Sequence, residues 1–120
     1  AYKERVYHFF RTNPLTRERF QLLKKMIRFQ DQFPTIQNFW LYEGDDDGGD
    51  KVYIQTFVEK NGKYQFYVCL LTGEVIGKYF LPVEYSDPTR IAPAAVADNC
   101  FYQIREGEEN WELHRSRFDN

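Results

Sequence analysis

The sequence lacks the strings by which nucleotide and acyl-transfer enzymes are usually recognised. No GxGxxG, GxxxxGK[ST] or GxSxG pattern occurs, so a dinucleotide fold, a phosphate-cradling loop and a nucleophile elbow all lose their signature. Long apolar runs are missing too: none approaches the roughly 20 residues that a helix needs to span a bilayer, and no secretory apolar segment stands near the start. The chain opens at Ala1 without Met, which reads as a processed protein or an excised piece, so that any targeting signal would have been removed with the missing start. Net charge is only −2 with a pI near 5.7, which argues against a general nucleic-acid binder, because phosphate affinity needs a net basic face. Cysteine is scarce. Cys69 and Cys100 fit neither a CxxC metal knuckle nor a dense disulfide framework, and they are expected as two buried thiols. A single bridge between them stays open for an exported chain.

Aromatic residues are abundant, with eleven Phe, nine Tyr and two Trp making 18% of the chain. That excess fits packed sheets and interaction surfaces and excludes intrinsic disorder. The organising stretch is residues 51–82, three apolar runs separated by Asn61-Gly62 and Thr72-Gly73. Both pairs tolerate positive φ, so the stretch predicts a three-stranded antiparallel meander. Val52, Ile54 and Val58 alternate with Tyr53 and Phe57, and Tyr64, Phe66, Val68 and Leu70 alternate with Tyr67, Cys69 and Leu71. A sheet apolar on both faces must be covered on both.

Before this stretch, residues 2–11 (YKERVYHFFR) read as a short strand because Val6, Tyr7, Phe9 and Phe10 are β-prone. Asn13 and Pro14 suit a helix start, and residues 13–30 predict an amphipathic helix. Leu15, Leu22, Leu23, Met26, Ile27 and Phe29 make its apolar stripe beside Phe20; Arg17, Arg19, Lys24, Lys25 and Arg28 make a solvated basic face. Phe33-Pro34 ends the helix, and residues 36–43 read as a strand entering the meander. Between them and the meander lies EGDDDGGD. Glu43, Asp45, Asp47 and Gly48 match the start of an EF-hand loop, but the twelfth place is Ile54 where a bidentate Glu is required, so a solvated hairpin tip is expected and no metal site. Further on, after the turn-rich residues 83–90, residues 91–97, 100–106 and 111–118 predict a second, incomplete meander. In its last run Trp111, Leu113 and Arg115 share one face, and Glu112, His114 and Ser116 the other.

Three strings, residues 33–41 (FPTIQNFWL), 71–82 (LTGEVIGKYFLP) and 101–118, together resemble the C-terminal blades of bacterial six-bladed β-propeller proteins of NHL-like type. The likeness spans residues 27–118 and rests on Thr72, Gly73 and Gly77 in a turn, Leu81-Pro82 at a strand end and Trp111 to Arg115 as a closing strand. It implies a mainly β fold of antiparallel four-stranded blade-like meanders, about two blades (36–82 and 91–118), in one domain with a single N-terminal helix. It also implies a soluble bacterial protein, periplasmic or secreted. A six-bladed ring needs far more chain than this. The protein is therefore part of a ring, a two-blade unit that closes as a homo-oligomer, or a distinct fold, such as a compact α+β domain with a helix on a curved antiparallel sheet.

On function the expectation is a non-enzymatic scaffold or interaction module that contacts a protein or small ligand through Trp40, Tyr42, Tyr85, Tyr102 and His114, with no cofactor, no nucleic acid and no membrane. The alternative is a small ligand-binding α+β domain with an aromatic-lined pocket. His8 and His114 read as surface or packed rings, and neither stands at a telling distance from a nucleophile. If Trp111 packs between blades, removing its ring should cost about 3–5 kcal/mol; if it is exposed, stability should hardly change.

Overall fold

The computed structural model describes residues 2–11, 16–33, 35–42, 49–87, 90–91 and 94–119. The predicted N-cap at Asn13 and Pro14 and the acidic segment 43–48 lie outside them. Four strands, β1 (Ile36–Tyr42), β2 (Lys51–Lys60), β3 (Lys63–Leu70) and β4 (Val75–Pro82), form an antiparallel sheet in sequence order. Its turns are those that the residues demand. Asn61 and Gly62 have φ of 54° and 79°, the mirror-image turn whose twist suits a hairpin. Gly73, at φ 97°, closes the next hairpin, with its N–H donating to Leu70 O at 2.9 Å.

Preceding the sheet are two helices, α1 (Tyr2–Arg11) and α2 (Arg17–Gln32). The strand expected over residues 2–11 is therefore a helix. Its apolar residues serve both readings in sequence, but Val6 and Phe10 stand four apart, and both are buried at 0% and 4% exposure while Tyr7 and His8 face solvent. α2 begins and ends later than predicted. Phe20 N donates to Thr16 O at 2.8 Å to close the first turn, and Phe33, held by Pro34 away from helical backbone, stops the last. Met26 and Phe29 face the core as the stripe predicts, whereas Phe20 is 42% exposed with Lys24 Nζ 4.8 Å above its ring.

Beyond β4 the chain makes a two-stranded ribbon, β5 (Tyr85–Asp87) with β6 (Arg90–Ile91), and a three-stranded antiparallel sheet of β7 (Ala94–Ala97), β8 (Cys100–Glu106) and β9 (Trp111–Arg117). The predicted strand 91–97 is thus shorter, because Ile91 pairs with Tyr85 instead. Asp98 and Asn99 turn β7 into β8 with φ of 51° and 57°.

The protein is mainly β, with the four-stranded sheet as its middle layer. One face packs on the helices: Val52, Ile54 and Cys69 meet Val6, Phe10, Met26, Phe29 and Phe33. The opposite face packs on the second sheet: Tyr53, Phe66, Val68 and Leu81 meet Phe101 and Phe118. The period of two along β2 and β3 divides their apolar residues between these two cores, as the alternation in sequence requires. Both cysteines are buried and free, Cys69 in the sheet that faces the helices and Cys100 in the second sheet, so the alternative of a bridge is not realised. Among the described residues no helix is long and apolar enough to cross a membrane.

Candidate functional site

The five residues singled out by sequence do not converge. Trp40 is half-buried between the sheets, its ring 5.3 Å from Phe101 edge-on and 6.1 Å from Phe66, and Tyr42 packs on the same core. These two are structural. Tyr85 sits at the start of the ribbon, and Tyr102 and His114 lie on opposite faces of the second sheet.

Tyr85 belongs to a polar network at the end of the first sheet where both β1 and β2 lose regular register. Its hydroxyl donates to Gln37 Oε1 at 2.8 Å. Gln55, with 0% exposure, donates from Nε2 to the same Gln37 oxygen at 3.0 Å and to Tyr85 Oη at 3.3 Å, and accepts at Oε1 from Asn38 Nδ2 at 3.2 Å. Buried amides persist only when paired, and this network pairs them while covering the irregular strand ends. Beside it opens a cleft of about 400 Å³ lined by Gln37, Phe57, Glu59, Tyr64 and Tyr85. Desolvation, reinforced by Tyr85 and Glu59, pushes the Tyr64 phenol up to about 12, so it is a neutral donor at ordinary pH. The cleft offers phenol and amide groups and the Glu59 carboxylate beside Tyr64, with one aromatic wall.

The second sheet presents a different surface. Ile104 pairs with Leu113, Glu106 with Trp111, and Tyr102 with Arg115, so these side chains share one face. Toward the hairpin end nothing among the described residues covers it, whereas Tyr102 is half-buried and Cys100 buried at the other end. Trp111 and Leu113 are each 69% exposed and Ile104 is 44% exposed. Among the described residues of this chain, therefore, no second layer packs on Trp111. At the hairpin end both faces border a groove of about 1210 Å³, lined by Glu84, Tyr85, Arg105 and Glu112 on the inner side and by Ile104 and Trp111 on the outer. The carboxylates there give one end of the sheet a negative field, while at the other end Arg115 is exposed and Arg117 is paired with Asp119 at 3.4 Å. On the inner face His114 Nε2 lies 3.0 Å from Glu112 Oε2, an exposed pair that orders β9 locally.

β9 is also a sheet edge, since the sheet runs β7, β8, β9. Gly107 N donates to Asn110 O at 2.8 Å and Phe118 N donates to Asn99 O at 3.0 Å, which fixes the hydrogen-bonding phase at both ends of the pair. Residues 112, 114 and 116 therefore turn their backbone groups toward β8, and Trp111, Leu113, Arg115 and Arg117 turn theirs outward. Among the described residues no strand receives them. Sequence reading grouped Trp111, Leu113 and Arg115 on one face and gave Trp111 an interface role only if it proved exposed, without placing any of them among the binding residues; the signal was two large apolar residues alternating on a strand that closes a sheet. Among the described residues no group of three His, Cys, Asp or Glu side chains is placed to hold a metal ion. No protein-family model, curated protein or solved structure matches this chain, so its own residues alone bear on the likeness to propeller blades.

Proposed function

We propose that this protein is a non-enzymatic interaction module whose working surface is the solvent face and free edge of the β7–β8–β9 sheet. The observation that carries the reading is the uncovered row of Trp111, Leu113 and Ile104 on one sheet face, two of them 69% exposed. Isolated exposed apolar residues are ordinary, but adjacent large ones beside an unpaired strand mark a place where protein is added. An extended segment laid along β9 would gain main-chain hydrogen bonds from the outward backbone and apolar contact from the row. If the chain is a part of a larger ring of blades, the same face is where the next blade packs.

The test separates binding from folding. Trp111→Ala should leave the unfolding free energy from urea titration within about 0.5 kcal/mol of wild type, because surface substitutions cost little. The same variant, and Leu113→Ser, should lose binding of an extended peptide that alternates Leu with Arg and Glu, read by fluorescence anisotropy of the labelled peptide. A loss of several kcal/mol in stability, or peptide binding unchanged by both substitutions, would remove this surface from the function.

A further inference from the structure

Resting on the reading that β9 is a strand-accepting edge, we infer that the strand it accepts is the β9 of a second copy, paired antiparallel about a twofold axis that passes through Leu113. The argument is one of phase and charge. Antiparallel partners form hydrogen-bonded pairs only between residues whose backbone groups both face the gap, and on β9 these are Trp111, Leu113, Arg115 and Arg117. Within β9 this leaves a few twofold centres, and their side-chain pairings differ sharply. A centre at Glu112 sets Glu against Glu. A centre at Arg115 sets Arg against Arg. A centre at His114 sets His against His and brings Arg115 beside Leu113. Like charges directly opposed destabilise a strand pair, so the first two are disfavoured, and the third sets two imidazoles against each other and parts Leu113 from its own copy.

The centre at Leu113 has no such conflict. Leu113 meets its own copy, and Trp111 meets Arg115 across the gap on the outer face, where a guanidinium can lie over an indole. Glu112 meets His114 on the inner face, and Glu109 of the hairpin meets Arg117. The polarity of the strand makes this self-complementary: its hairpin end carries Glu108, Glu109 and Glu112, its far end Arg115 and an Arg117 that it shares with Asp119 at 3.4 Å, and an antiparallel copy brings the acidic end to Arg115 and Arg117. Trp111, Arg115 and Arg117 are all exposed, as is Leu113, so pairing requires no repacking of the core. The product is a sheet continuous through both copies, with its exposed edges moved to the two β7 strands. A strand-pair interface is small, below roughly 1,000 Å², and the association should fall in the micromolar range or weaker.

Sedimentation velocity from about 5 µM to 500 µM, bracketing that range, tests the pairing on the full chain. Dimer should accumulate with concentration, and Leu113→Lys, which opposes two ammonium groups on the axis, should remain monomeric with an unchanged circular dichroism spectrum. The register is read by charge exchange. Glu112→Lys should raise the dimer dissociation constant roughly tenfold, and an equimolar mixture of Glu112→Lys chains with His114→Glu chains should recover most of that loss as heterodimer, because these positions face each other between copies only when Leu113 is central, whereas within one strand they already touch. Leu113→Cys should form an intermolecular disulfide under mild oxidation, since hydrogen-bonded antiparallel pairs hold their Cα atoms about 5.5 Å apart. The native thiols are buried and do not compete. A wild-type monomer at every concentration overturns the inference, as does a dimer indifferent to Leu113→Lys; failed recovery in the mixture of the two variants overturns the register. If the chain stays monomeric yet binds the alternating peptide through Trp111, the interaction module stands and only the second copy is lost as its partner.

Discussion

The Cys69 thiol lies in the middle sheet beneath the helices with 0% exposure, and desolvation pushes its pKa up to about 12. In the unfolded chain the same thiol ionises near about 8.5. Above that pH the unfolded state releases a proton that the folded state retains, so this contribution to stability is complete below about 8.5 and is lost as pH rises toward about 12, at up to about 1.4 kcal/mol per pH unit. Tyr64 titrates with the same sign but from a higher starting value of 10.0, so the interval from about pH 8.5 to 10 isolates the thiol. We expect the urea midpoint of wild type to fall over that interval and that of Cys69→Ala to stay nearly level; equal slopes would show that the thiol is not the group responsible. Neither cysteine should react with a thiol reagent until the chain unfolds. At this same scale the sequence was least legible for amides. Gln55, Gln65 and Gln103 are buried at 0%, 7% and 2%, yet glutamine in a strand reads as a solvent-facing residue. Gln103 shows why: its Oε1 accepts from Glu84 N at 2.7 Å and its Nε2 donates to Glu84 O at 3.0 Å, so one side chain imitates a strand neighbour for the link after β4. Such pairing depends on residues 19 apart meeting, and no local pattern announces it.

Among elements, the strands were read well because their limits are set by backbone chemistry that single residues reveal. Asn61-Gly62, Asp98-Asn99 and Gly73 hold positive φ, and the predicted hairpins turn where these residues stand. The helix over residues 2–11 was misread because Val, Tyr and Phe favour a pleated surface only when a sheet is there to receive them. Here the surface on offer is α2 and the first strand: Phe9 lies 5.0 Å from Phe10 and 6.2 Å edge-on from Phe39, while Val6 and Phe10 enter the core beneath. Tertiary packing decided the element, and a ten-residue helix would be marginal without it. Phe10→Ala should therefore cost about 3–5 kcal/mol and release α1 first. Hydrogen exchange would show this as early labelling of residues 2–11 with β2 and β3 still protected. If α1 amides remain as protected as in wild type, the helix is held by something other than this ring.

At the scale of the whole molecule, the two-faced apolar meander determines the layering, because β2 and β3 contribute Val52, Ile54 and Cys69 to one core and Tyr53, Phe66 and Val68 to the other. A helix layer and a sheet layer thus share the same two strands, and neither core can be lost without exposing the back of the other. Phe118 shows how the second layer is attached. It is 1% exposed, its ring lies 4.8 Å from Tyr53, 5.6 Å from Phe66 and 5.7 Å from Tyr79, and its carbonyl accepts from Asn99 Nδ2 at 2.8 Å. Asn99 in turn holds Tyr53 through a hydroxyl contact of 3.4 Å. One ring and one turn residue therefore join the end of β9 to the middle of the first sheet. Phe118→Ala removes the ring from the point where three strands of that sheet are touched, and should cost about 3–5 kcal/mol. Because β2 and β3 serve both cores, we expect the loss to appear as a single transition at lower denaturant, with near- and far-ultraviolet circular dichroism still coincident. Transitions that separate, with the aromatic signal lost first, would mean that the β7–β8–β9 layer folds as a unit of its own, and its exposed face would then belong to an appendage held loosely on the sheet.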